Sequence, residues 1–298
     1  MKECFVGHMI KWPNFFIVGA PRSGTTSLYE YLNEVPGVFM STVKEPNYFN
    51  PSVNDDLFLS KPIKDEKKYL NLFKNVKDEI AIGEASPTYL WDPKTPKLIH
   101  EVIPDAKIII SLRDPITRAF SEYLLLSGLG SVKGSFLNTI TKSIQAKDYS
   151  SGRIIQNGLY YEQVKRYVNT FTFDQIKVII FEELVQDTWK LVKQVLDFLE
   201  VKHDPPHSVT EIHNAFTLPK GQIASTIVGN KVLRKMGKTL LPRKGLFTLR
   251  KILTKKTIKP QMSIAEKNHL KEFYRDDVIK LQTLLNCKFP WEVLENID

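Results

Sequence analysis

The sequence predicts an α/β domain with a central parallel sheet flanked by helices. Three observations carry that prediction: apolar runs rich in β-branched residues that do not alternate, helical segments between them, and a glycine-rich turn joining the first strand to the first helix. Runs without alternation suit strands buried on both faces, the condition of a parallel sheet covered by helices. Strands interleaved with helices complete that architecture.

The first strand is Phe15-Phe16-Ile17-Val18, closing on Gly19, with helix-forming residues over 27–33. Residues 81–83, 107–112 and 176–181 repeat the strand pattern. A helix is expected over 115–126, with Asp114 as N-cap and Pro115 at the first helical position, where a missing N–H costs nothing. Segments 160–171 and 188–199 are amphipathic, and 264–285 carries apolar residues at helical spacing. No internal repeat, low-complexity tract or obvious linker interrupts the chain, so a single domain over 1–298 is the simpler reading.

Composition narrows the function classes. Hydrophobic residues make up 42% and charged residues 25% of the chain, which excludes disordered and fibrous classes. Two cysteines, Cys4 and Cys287, exclude a disulfide framework or a cysteine-based zinc site. No apolar run reaches the roughly 18 residues of a membrane span, and the first residues lack a signal-peptide core; the expectation is a cytoplasmic protein. The net charge of +9 is uneven. Twelve Lys and Arg with no Asp or Glu fall in 220–260, leaving 30 basic against 33 acidic residues elsewhere. Such a patch attracts anions as a diffuse surplus would not.

Gly19-Ala20-Pro21-Arg22-Ser23-Gly24-Thr25-Thr26 occupies the strand-to-helix turn. Glycines five apart free the backbone to wrap an anion, and the amides of the next turn point at it with the helix dipole behind them. A nucleoside-triphosphate loop would need Lys after the second glycine. Here that position is Thr25, and the cation is Arg22. Nor does strand 107–112 close on an evident metal-binding aspartate. The turn is a phosphate cradle without triphosphatase fittings.

These residues resemble the sulfotransferases that use 3′-phosphoadenosine 5′-phosphosulfate (PAPS). Residues 16–28, around Arg22, resemble that family's 5′-phosphosulfate loop, and Arg113-Asp114-Pro115 through Ser121 and Tyr123 resemble its 3′-phosphate motif. Lys44-Glu45-Pro46-Asn47-Tyr48-Phe49, Gly83-Glu84-Ala85-Ser86-Pro87-Thr88-Tyr89 and Phe181-Glu182-Glu183-Leu184 resemble further family blocks. The likeness is strongest to the heparan-sulfate-type and bacterial branch. It implies a three-layer P-loop-type domain, PAPS as co-substrate, no required metal, and sulfuryl transfer to a hydroxyl of a carbohydrate, a glycolipid or a small alcohol.

The resemblance also assigns roles. Ser23, Gly24, Thr25 and Thr26 cradle the 5′-phosphate; Arg22, where the family often has Lys, faces the charge on the leaving nucleotide. Arg113 and Ser121 grip the 3′-phosphate, and Lys220 in Leu218-Pro219-Lys220-Gly221-Gln222 belongs to a loop closing on the same side. Glu45 is the base for the acceptor hydroxyl, its bland alternative being a surface pair with Lys44. Among six histidines, His213 alone stands as an alternative base. Ala85 stands where glycosaminoglycan members often carry Lys, which argues against heparan sulfate as acceptor.

Three readings compete for 220–260: a solvated cationic helix pair, a membrane-surface helix, or a groove for an anionic glycan. Phe247 is its one aromatic residue, so it offers no stacking platform for nucleic acid. Two rivals to the whole reading are a P-loop small-molecule kinase, which Thr25 opposes, and a non-catalytic anion- or membrane-binding protein.

Overall fold

The computed structural model describes residues 11–53, 62–146, 149–206, 217–219, 254–256 and 260–295, with backbone alone for 149–151, 217–219 and 254–256. These residues group into two compact units. The first takes in the described residues of Met1–Asp114, Leu159–Ile212 and Asp276–Trp291; the second takes in those of Pro115–Gly158, His213–Arg275 and Glu292–Asp298.

The first unit is built on five strands: β1 Phe15–Gly19, β2 Val38–Met40, β3 Ala81–Ala85, β4 Lys107–Leu112 and β5 Ile176–Ile180. They form one parallel sheet in the order β2-β3-β1-β4-β5, so the predicted central sheet is present. Every residue of β1 is buried, as the unalternating run requires. Phe15 and Ile17 face one layer, where Leu28 and Leu32 of α1 (Thr25–Asn33) meet Val192, Val195 and Leu196 of α9 (Thr188–Phe198). Phe16 points the other way and meets Phe49 edge-on at 5.6 Å. On that side the Tyr167 hydroxyl, from α7 (Tyr160–Val168), donates to Tyr89 O at 2.9 Å.

Helices α2 (Glu66–Leu70), α3 (Thr95–Val102) and α8 (Phe181–Gln186) also belong to this unit. The apolar run 176–181 predicts a strand through Phe181, yet Phe181 opens α8. The edge strand β2 is three residues long, too short to display a period, and the sequence pattern does not predict it.

The second unit holds α4 (Pro115–Gly128), α5 (Phe136–Gln145), α6 (Tyr149–Gln156) and the antiparallel pair β6 (Thr217–Pro219) with β7 (Thr254–Lys256). Helix α10 (Ile264–Leu285) opens with Ser263 and Glu266 satisfying each other's backbone amides, a capping box. Arg118 is fully buried and pairs with Glu122 at 2.5 Å, while Arg153 and Asn157 reach the same carboxylate at 2.9 and 3.3 Å. Burial pushes the Glu122 carboxyl up, but the two guanidinium groups outweigh it and hold it below its ordinary value. Among the described residues no helix is long and apolar enough to cross a membrane.

Candidate functional site

In a parallel sheet all C-terminal strand ends share one edge, and ligands of such folds bind there. In the first unit that edge carries the glycine-rich turn after β1, the Glu45 turn after β2, Glu84 to Ser86 at the end of β3, Arg113 after β4 and Phe181 after β5.

The glycine-rich turn is tied to β4. Ala20 N–H donates to Ser111 O at 2.6 Å, Ser111 Oγ donates to Ser23 O at 2.5 Å, and Arg113 Nη1 donates to Arg22 O at 3.2 Å. Positive φ occurs at Gly19 (152°), Arg22 (70°) and Gly24 (80°). At Gly24 the geometry demands glycine, because a Cβ would meet Phe181 Cδ2 at 2.8 Å. Helix α1 begins immediately after, with no side chain capping its first turn and no acidic residue in it. Its amides and dipole therefore meet no carboxylate of their own turn. Ser23 is fully buried, and its Oγ has no partner among the described residues. Thr25 is buried, Thr26 half-buried and Arg22 exposed. An uncapped helix start beside an orphaned buried hydroxyl fits a phosphate group.

Arg113 is positioned from three directions. Its guanidinium lies over the Phe181 ring at 4.5 Å, and its carbonyl accepts from Tyr160 Oη at 2.9 Å. Next to it, Asp114 N–H donates to Glu182 Oε1 at 3.1 Å, and Trp291 Nε1 holds the other oxygen of that carboxylate. Tyr160 is itself fixed by Asp277, whose carboxylate accepts the Tyr160 and Tyr161 amides at 2.7 and 3.2 Å. Burial pushes the Asp277 carboxyl up to about 6, against the pull of those two amides.

Glu45 sits in a turn held against β3, its N–H donating to Ala85 O at 3.0 Å. Lys44 Nζ lies 2.6 Å from its Oε1, so the pair expected as the bland alternative is present, with the carboxylate about one-third exposed. Beneath the turn Glu84 is fully buried and accepts three hydroxyls: Tyr69 and Tyr89 on Oε1, both at 2.8 Å, and Ser86 on Oε2 at 2.9 Å. Burial pushes the Glu84 carboxyl up to about 7 despite those bonds.

The structure thus brings the glycine-rich turn, Glu45 and Arg113 to one sheet edge of the first unit. Ser121 is buried on α4 and belongs to the second unit. Lys220, His213 and nearly all of the basic segment lie outside the described residues. Sequence reasoning missed the Tyr160–Asp277 support of Arg113 and the hydroxyl cage of Glu84. The cage had a partial local signal, an acid followed by Ser and Tyr two and five residues later.

A family model described as "Sulfotransferase domain" matches residues 13–282. The chain belongs to the sulfotransferase family. Mouse (Mus musculus) carbohydrate sulfotransferase 15 is 26% identical over 248 residues, covering 63% of this chain and 44% of that protein. Human (Homo sapiens) heparan sulfate glucosamine 3-O-sulfotransferase 3B1 is 25% identical over 287 residues, covering 94% of this chain and 65% of that protein. The chain therefore spans less than two thirds of the length of each of those relatives. The solved structure of a sulfotransferase from Alicyclobacillus acidocaldarius superposes with a TM-score of 0.69 at 29% identity, covering 94% of this chain and 98% of that one.

Proposed function

We propose that this sulfotransferase moves the sulfuryl group of PAPS to a hydroxyl of a carbohydrate or glycolipid acceptor, the chain working as a single sulfotransferase domain without a metal. The observation that carries the reading is Arg113, a cation held by Phe181 and Tyr160 and hydrogen-bonded to the backbone of the phosphate-type turn. A donor with a second, 3′ phosphate explains two cationic positions at one sheet edge better than a nucleoside triphosphate does.

PAPS, when bound, supplies an activated sulfuryl group with a nucleotide as leaving group. On this reading Ser23, Gly24, Thr25 and Thr26 hold its 5′-phosphate through backbone amides and hydroxyls. Arg22, always protonated, faces the charge the leaving nucleotide keeps and acts by electrostatics, because its guanidinium is too weak an acid to release a proton. Glu45 takes the proton of the acceptor hydroxyl. Arg113 holds the 3′-phosphate, and the resemblance adds Ser121 and Lys220. Carbohydrate acceptors are supported by the names of the two curated relatives.

The test is calorimetric titration of 3′-phosphoadenosine 5′-phosphate (PAP) without metal, with ADP as control. PAP is expected to bind much more tightly, and Arg113→Ala to erase the preference. Equal affinities, or a requirement for Mg²⁺, would return the chain to the kinase reading. PAP release from PAPS with water, octyl glucoside and heparan sulfate offered in turn then tests the acceptor class. The proposal includes a cytoplasmic setting, with segment 220–260 touching the inner membrane surface. Flotation with phosphatidylserine vesicles tests that contact, and failure to float removes it.

A further inference from the structure

The Glu45 turn holds two positive-φ residues in three, of which Glu45 is the strained one, since Asn adopts this region readily. Glu45 has φ 61° and Asn47 has φ 53°, with Pro46 between them. Left-handed backbone is disfavoured for residues with a Cβ, and such outliers persist only where the surroundings over-determine them. Here the surroundings are a buried hydrogen-bond network. Asn47 N–H donates to Ser86 Oγ at 3.1 Å, and Ser86 Oγ donates to Glu84 Oε2 at 2.9 Å. On a second branch Phe49 N–H donates to Tyr89 Oη at 3.1 Å, and Tyr89 Oη donates to Glu84 Oε1 at 2.8 Å. The Asn47 side chain closes the network: Nδ2 donates to Glu45 O at 2.9 Å, and Oδ1 accepts from Thr88 Oγ1 at 2.7 Å.

One buried carboxylate therefore grips two backbone amides of the segment after Glu45, each through a single hydroxyl. Hydrogen bonds in such a chain polarise one another: the carboxylate makes each hydroxyl oxygen a better acceptor for its amide. A side chain packed only for stability needs no such aim at one short segment. We propose that Glu84, Ser86 and Asn47 are positioning residues, a relay that locks the backbone of Glu45 and so aims its carboxylate at the acceptor hydroxyl. This rests on Glu45 being the base.

The experiment compares the parent protein with Ser86→Ala, Asn47→Ala and Glu45→Gln, and with each of the first two combined with Glu45→Gln. The readouts are kcat and KM for PAPS on whichever of water, octyl glucoside and heparan sulfate turns over fastest, together with PAP affinity. Ser86→Ala and Asn47→Ala are each expected to lower kcat by roughly tenfold to a hundredfold, the scale of small misplacements of a reacting group, with PAP affinity unchanged. In the Glu45→Gln background neither should lower kcat further, since nothing remains to be aimed.

Losses that multiply, or that fall equally on kcat and PAP affinity, would make the network merely structural and overturn the proposal. Glu45→Gln with full kcat would instead remove the base, and the relay's purpose with it, while tight PAP binding would leave the donor site standing. Absence of turnover in the parent on all three acceptors has the same consequence for the relay. Amide exchange supplies a readout independent of activity, should Ser86→Ala fold poorly. Tyr89→Phe should deprotect the Phe49 amide and leave Asn47 protected, and unchanged exchange at Phe49 would overturn the second branch.

Discussion

Replacing Glu84 by Gln turns a buried charge into a neutral group of the same shape, and the consequence is a change in how stability depends on pH. In the fold burial raises the carboxyl from an ordinary 4.5 to about 7. The folded state thus holds the proton more tightly than the unfolded chain, so the contribution to stability is fully present below about pH 4.5. It is lost as pH rises through about 7, because the carboxylate must then be buried as an anion. Between 4.5 and about 7, at about 1.4 kcal/mol for each step of one in pH, the span is about 3 kcal/mol, and full burial means solvent does not screen it.

Glu84→Gln removes this slope and adds a constant cost of about 1–3 kcal/mol, because its amide nitrogen cannot accept from all three hydroxyls. Urea unfolding of both proteins between pH 4.5 and 8 reads the difference. The Asp277 carboxyl, also raised, gives both proteins the same slope and cancels. Toward high pH the difference between the two curves should move by about 3 kcal/mol in the variant's favour, so that the parent's lead at low pH closes or reverses. Parallel curves would show that the hydroxyl cage holds Glu84 near its ordinary value, and the reasoning about its burial would fail.

Gly24→Ala sets a Cβ 2.8 Å from Phe181 on a φ of +80°, and should weaken PAP binding by at least tenfold, about 1.4 kcal/mol by calorimetry. Glu122→Ala leaves Arg118 buried without its carboxylate and should cost about 3–5 kcal/mol in urea unfolding. Asp277→Ala strips the acceptor from the Tyr160 and Tyr161 amides; it should cost about 1–2 kcal/mol in the same assay.

The strands that cross the middle of the sheet were legible because burial on both faces leaves an unbroken apolar signature, as in Phe15 to Val18 and Ile108 to Ile110. Val38–Met40 is an edge strand of three residues and leaves none. Phe181 reads as one more apolar strand residue, yet opens α8, with its ring beneath Arg113. Phosphate turns are local, so glycine spacing and Arg22 could be read from adjacent positions. The environment of Glu84 is not local: Tyr69 reaches it from α2, fifteen residues upstream, and only folding brings that hydroxyl to the carboxylate. Asp277 likewise meets Tyr160 across 117 positions, a distance over which no pattern carries.

The three hydrogen bonds that tie Ala20, Arg22 and Ser23 to the end of β4 bear on the thermodynamics of occupancy. An anion that settles on this turn meets backbone whose conformational freedom was already surrendered when the chain folded. Little ordering of the turn remains to oppose association, so less of the energy of each contact to a phosphate oxygen is spent before it shows as affinity. Preorganisation of this kind slows departure more than it speeds arrival, so a bound nucleotide should be held by a long residence time.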